Sequence, residues 1–206
     1  MRPTLRLLPA ALLLYAGTAL AATETLNLDP SHTRVGFSVR HFFTPVKGEF
    51  KTVSGTIALD QANLNASQVT VEIDAASINT NNDKRDNHLK SDDFFAVEKN
   101  PKITFVSKSI VVKDNKGTMS GDLTMRGVTK PVTLDVVVEG IGKQGPGTIA
   151  GFTASGKLNR KDYGILWNRT LDQGGTMLGD DVTLEITVEA KTPPPPKPAE
   201  TAATPK

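Results

Sequence analysis

The sequence predicts an all-β chain, eight antiparallel strands closed into a barrel with one short helix at the mouth. Three observations carry this. Apolar and polar residues alternate with a period of two through about eight segments. The breaks between the segments are mostly short and rich in Gly, Asn and Asp. One stretch, Arg85-Asp86-Asn87-His88-Leu89-Lys90-Ser91-Asp92-Asp93-Phe94-Phe95, instead has helical spacing, concentrated charge and a closing pair of phenylalanines. A chain built otherwise of strands has most use for such an insert as a plug or lid at a barrel end.

The chain ends are set apart from the body. Arg2 and Arg6 precede an apolar run from Leu7 to Leu20, and Ala19-Leu20-Ala21 has the small-x-small form of a signal-peptidase site. Residues 1–21 therefore read as a cleavable signal peptide, which sends the mature chain to the periplasm or beyond. The apolar run is short for a membrane span, so no transmembrane segment is expected in the mature chain. The absence of cysteine rules out disulfides, thiolate chemistry and lipid-modified cysteine. Without Arg2 and Arg6 the 24 basic residues fall to 22, equal to the 22 acidic ones. No basic stripe marks a nucleic-acid footprint, and neutrality gives no reason to expect strong attraction to anionic lipid. Residues 191–206, with four consecutive prolines from Pro193 to Pro196, read as a disordered extended tail. One domain remains, residues 22–190.

Within it, Val35, Phe37, Val39 and His41 share one face of the first strand. Lys47 to Leu59 is strand twice over, with Phe50 in the first half, Val53, Ile57 and Leu59 in the second, and a parity slip near Val53 where a bulge belongs. Val69, Val71 and Ile73 alternate with Thr70, Glu72 and Asp74. Ile103 and Phe105 start the next strand, which runs to Val112 and the turn Lys113 to Gly117. Further strands follow at Met119 to Met125, Val132 to Val138, Phe152 to Leu158 and Val182 to Val188. Gly140 to Gly147 matches G-x-G-x-x-G at its start but leads into a strand, so it reads as a hairpin loop and not a dinucleotide site. The one helix spans the Asp83 to Asp92 region, where Arg85, His88, Leu89 and Asp92 share a face. A barrel suits these long strands better than a sandwich, because closure removes exposed edges.

Four segments together resemble the YceI-like family of exported polyisoprenoid-binding proteins: Leu28 to His41, Arg85 to Phe95, Pro101 to Phe105 and Gly121 to Val132. The resemblance spans essentially the whole body, in order. It implies a lipocalin-like barrel that holds a long isoprenoid or similar amphiphile, with no established catalytic activity and no cofactor beyond that ligand. The proline-rich tail is not part of the family pattern.

Parity places Val35, Phe37, Val39, Phe50, Val69, Val71, Ile73, Ile103, Phe105, Leu123, Met125, Leu134, Val136, Phe152, Leu184 and Ile186 inward. Such a set either fills a core or lines a bore, and the resemblance favours the bore. Burying ten ligand methylenes contributes about 8 kcal/mol gross, roughly micromolar affinity before immobilisation costs. The ligand-binding residues expected on these grounds are Phe37, Val39, His41, Phe50, Arg85, His88, Leu89, Phe94, Phe95, Phe105, Phe152 and Trp167. At the polar end, Arg85 and His88 either meet a ligand head group or are structural. In the structural case Arg85 pairs with Asp86, Asp92 or Asp93 and the histidines tie strand ends to the helix. No two of the three histidines have metal-pair spacing and no HExxH is present, so no metal site is expected. An enzyme using His32, His41 or His88, and a structural envelope protein with a filled barrel, are the rival functions. A homodimer stays open.

Overall fold

The computed structural model describes residues 23–171 and 174–195. The expected leader, and the tail beyond Pro195, lie outside the described residues. The strands are β1 (Glu24–Leu28), β2 (Arg34–His41), β3 (Thr44–Phe50), β4 (Val53–Leu59), β5 (Gln68–Asp74), β6 (Ile78–Asn79), β7 (Lys102–Lys113), β8 (Lys116–Met125), β9 (Val128–Gln144), β10 (Gly147–Asn159) and β11 (Leu178–Lys191), with helix α1 (Asp83–Lys90) between β6 and β7.

These eleven strands make eight walls. β11 pairs first with β2, from Leu178↔His41 to Thr187↔Arg34, and then with β1 at Ala190 and Lys191. β1 and β2 are thus two halves of one bent wall. β4 lies against β1 and β3 against β2, while β5 pairs with β4 and β6 with β3. Three bent walls and the five strands β7 to β11 close the cylinder, every neighbouring pair antiparallel. The β3–β4 and β5–β6 bends are stitched to each other. Lys51 N–H donates to Ser77 O (3.1 Å), Thr52 N–H to Ser77 Oγ (3.0 Å) and Asp74 N–H to Thr52 O (3.0 Å).

The eight expected strands correspond to these walls, and the parity slip near Val53 is the bend at Lys51 and Thr52. Three boundaries differ. β1 is a strand that the alternation pattern did not mark, too short at five residues to stand out. The Gly140 to Gly147 loop is mostly strand, because β9 and β10 continue pairing up to Gln144↔Gly147 and only Gly145-Pro146 turns. β11 runs one residue past Ala190, and Thr192 still donates N–H to Thr148 O at 2.9 Å. Among the described residues no helix is long and apolar enough to cross a membrane.

Helix α1 is capped by Asn82, whose Oδ1 accepts from Arg85 N–H at 3.0 Å. It stops at Lys90, two residues short of the expected end, because Ser91 turns to extended backbone and closes the last turn on His88 O. The helix and the segment after it lie over one end of the barrel. Both described chain ends lie at the other, where Glu24 accepts from Thr148 Oγ1 (2.7 Å) and Thr192 Oγ1 (2.5 Å).

Candidate functional site

Alternation puts one face of every wall inside the cylinder, and among the described residues two chambers lie there end to end. The deep chamber, about 190 Å³, is lined by Val35, Val53, Val71, Phe105, Leu134, Phe152 and further aliphatic side chains. The mouth chamber, about 440 Å³, lies beneath α1 and is lined by side chains of β2, β3 and α1 together with Ile165, Trp167 and Leu178. Phe50, Met125, Leu158 and Leu184 belong to both linings and form the partition between the chambers. Among the described residues no acidic side chain lines either one. All sixteen residues assigned inward by parity line one chamber or the other.

Of the twelve expected ligand-binding residues, Phe37, Val39, His41, Phe50, Arg85, His88, Leu89, Phe94, Phe95 and Trp167 come together around the mouth chamber. Phe105 and Phe152 lie in the deep chamber instead. Phe37 enters because Gly48 on the paired strand carries no side chain. A Cβ there would collide with the Phe37 ring and lie 2.8 Å from Thr80 Cγ2. His88 stands between two aromatic edges, its ring centroid 5.0 Å from both Phe94 and Trp167, and its Nε2 is 2.7 Å from Asp93 Oδ2. This ties the helix to the turn segment after it rather than to a strand end.

Arg85 behaves differently from that alternative, since its partner is not a carboxylate. Nε donates to Thr80 Oγ1 (2.7 Å) and Nη2 to Thr80 O (2.8 Å). Thr80 in turn donates its hydroxyl to Asp86 Oδ1 at 2.5 Å and its N–H at 3.0 Å. Asp86 is buried, so this relay both satisfies a carboxylate out of water and fixes Arg85 at the chamber wall. Asp92, expected on the same helical face, lies beyond the helix and pairs with Lys99 at 2.7 Å.

Thr80, Asn82, Lys84, Arg160 and Ile165 also line the mouth chamber and had no sequence signal. Arg160 is 3% exposed and donates to Gly179 O, Ile165 O and Trp167 O at 2.7–2.9 Å, with Asp180 Oδ1 at 3.2 Å. It holds the loop that presents Trp167. Burial lowers its pKa against the opposing pull of Asp180. Its partners lie up to twenty residues away, so no local pattern could reveal it.

His32 is remote from both chambers. It packs on the β1–β2 bend with Nδ1 3.0 Å from Asp29 Oδ2 and 3.5 Å from Glu189 Oε1. Among the described residues these three are the one histidine-carboxylate group compact enough to share an ion. Lys191 Nζ already supplies a cation there, 2.8 Å from Asp29.

The fold matches that of Burkholderia cenocepacia BcnA, at a TM-score of 0.68 and 23% identity, over 79% of this chain and 98% of that one. The Campylobacter jejuni YCEI protein is 37% identical, with a TM-score of 0.65 over 74% of this chain and 88% of its own. A UPF0312 protein of Staphylococcus epidermidis is 40% identical over 166 residues, 79% of this chain and 95% of that protein. With residues 26–190 matching the YceI-like domain, the chain belongs to the YceI-like family.

Proposed function

We propose that this protein is an exported carrier that sequesters a long isoprenoid chain, a polyprenol or isoprenoid quinone, inside its barrel without transforming it. The observation that carries the reading is the pair of chambers lying end to end, almost wholly apolar in the depth and polar only at the mouth. An apolar tail in the deep chamber and a head in the mouth chamber match that gradient. Arg85 has two nitrogens committed to Thr80, and the third, Nη1, is the donor for a head-group oxygen. His41 lines the same chamber. The polyisoprenoid binding domain of Saccharophagus degradans shares the architecture at 17% identity and a TM-score of 0.63, which supports the cargo class by fold analogy alone. The leader-like pattern of residues 1–21 supports export.

Native mass spectrometry of protein purified without detergent from its own host tests both parts. A mature chain starting at Ala22 with a co-purified prenyl lipid is the expected result. Protein that is repeatedly empty, and that also refuses added polyprenols and quinones, would overturn the carrier reading.

A further inference from the structure

Three of the five large apolar side chains that stand exposed among the described residues sit on the rim of the mouth chamber. They are Phe42 (37% exposed), Phe43 (94%) and Leu166 (65%). Phe42 and Phe43 are the whole two-residue turn between β2 and β3, bracketed by the pair His41↔Thr44. Leu166 lies between Ile165 and Trp167, which both line the chamber. One ladder spans the rim between them. Asn168 bonds Leu178 in both directions (2.7 and 3.0 Å), and Leu178 pairs with His41.

Turn chemistry does not explain the two phenylalanines. The β7–β8 turn carries Asp114-Asn115 and the β8–β9 turn Arg126-Gly127, with positive φ at each of those residues. Phe42 also takes a left-handed φ of 52°, a conformation that favours glycine or asparagine. Phe42 is held in that strained conformation with its ring edge-on to His41 at 4.8 Å, and Phe43 beside it stands 94% exposed, a cost that folding alone does not repay. The hairpin from Arg40 to Lys47 carries two permanent positive charges and a histidine but no acidic residue. Arg40 donates to the carbonyls of Phe42 (2.8 Å) and Thr176 (3.4 Å), which leave its charge in place beside the ring. An apolar tip flanked by cations matches a phospholipid surface, with acyl chains under the phenyl rings and phosphates beside the cations. Both described chain ends lie at the opposite end of the barrel. A net charge near zero hides this local asymmetry.

We infer that the Phe42-Phe43 turn and Leu166 form a docking surface for a phospholipid bilayer, which brings the mouth of the barrel onto the membrane where apolar cargo is exchanged. This rests on the carrier reading for its purpose, although the surface can be tested without it. The full chain is mixed with phosphatidylcholine vesicles that contain brominated acyl chains and a minor share of phosphatidylglycerol. Trp167, the single tryptophan, is the reporter at the mouth.

Quenching of Trp167 on vesicle addition is expected, with partition weakened about tenfold by Phe43→Ser. Val111→Ser, which removes an exposed apolar side chain from the outer face of β7, should change nothing. Phe43 lines neither chamber, so Phe43→Ser should leave equilibrium binding of a short soluble prenol intact. Absent quenching, or equal quenching in wild type and Phe43→Ser, overturns the docking surface. So does a concentration-dependent dimer that Phe43→Ser abolishes while vesicle binding persists, because the turn then serves a second copy of the chain. Failure of every variant to take up the prenol would sink the carrier reading and leave the vesicle result to be judged separately.

Discussion

Phe50 meets Phe95 edge-on, ring centroids 5.7 Å apart and planes at 88°, so the wall that divides the two chambers is locked to the segment covering the mouth. Phe37 packs on the other side of Phe50 at 5.8 Å. The partition therefore combines Phe50, braced by a tilted and an edge-on ring contact, with Leu158, Leu184 and the flexible Met125, and a chain threading both chambers must pass among them. Phe50→Ala should merge the chambers and destabilise the fold by about 3 to 5 kcal/mol. Binding of a graded series of prenols, measured beside urea unfolding, should shift toward longer and bulkier chains. An unchanged length preference would remove Phe50 from the gate.

The Arg85–Thr80–Asp86 relay predicts a second outcome. Thr80→Val keeps the shape but leaves the buried Asp86 without a hydroxyl donor and Arg85 Nε without its acceptor. A loss of about 1 to 3 kcal/mol is expected, with faster hydrogen exchange in α1. Head-group selectivity should fall while affinity for a plain hydrocarbon tail stays. If selectivity survives, Arg85 does not orient the ligand.

What was legible in the sequence follows from the range of the interactions. A β-strand writes its faces into neighbouring residues, so the inward set of β2, β5, β8 and β11 could be read directly. The helix and its phenylalanines stand out by their spacing and charge against the alternation on either side. Positions fixed by distant partners left no local trace. Arg160 is held by three carbonyls from two other segments, the loop of Ile165 and Trp167 and the strand residue Gly179, and Thr80 matters only because Asp86 folds back onto it. The carboxylates beside Arg85 in sequence suggested ion pairs, yet one of them is satisfied through Thr80 and another by Lys99. The turn at Phe42-Phe43 goes unnoticed by alternation because its exposure depends on where the strands end.

The seam where β1 closes against β11 should be pH-sensitive in two opposite senses. The Lys191 ammonium first, then His32, holds the Asp29 carboxyl well below the usual carboxylate range. The bond from Asp29, then the Glu189 charge, raises the His32 pKa. The Asp29 contribution is therefore present above its unfolded pKa, near 3.9, and drains as pH falls toward the folded value. The His32 contribution is complete below about 6.5 and disappears as pH rises through its folded value. Urea midpoints should show His32→Gln destabilised at about pH 5.5 and close to wild type at about pH 9. Asp29→Asn should be destabilised at both, since Lys191 stays charged. A His32→Gln penalty that does not change with pH would contradict the pairing.

Arg160→Lys separates geometry from charge in the clasp behind Trp167. Lysine keeps the positive charge but cannot reach Gly179 O, Ile165 O, Trp167 O and Asp180 together. A loss of roughly 2 to 3 kcal/mol is expected, with a red shift and increased quenching of Trp167 fluorescence as the loop loosens. Stability and fluorescence that both match wild type would mean the loop is held elsewhere.

Tyr163, in the same turn as Arg160, should respond with the opposite sign. It is 1% exposed and its hydroxyl has no hydrogen-bond partner among the described residues. Burial, with Asp162 adding, pushes its pKa up to about 12. Because the folded state disfavours the phenolate, wild-type stability should fall as pH rises from about 10, the ordinary tyrosine value, toward the folded one. Tyr163→Phe keeps the ring packing and deletes only the unpaired hydroxyl, so at neutral pH stability should hold or rise by about 1 kcal/mol. The variant should also lose less stability than wild type in the alkaline limb. A clear drop in the neutral-pH urea midpoint would show that the hydroxyl has a partner, a bound water being the simplest.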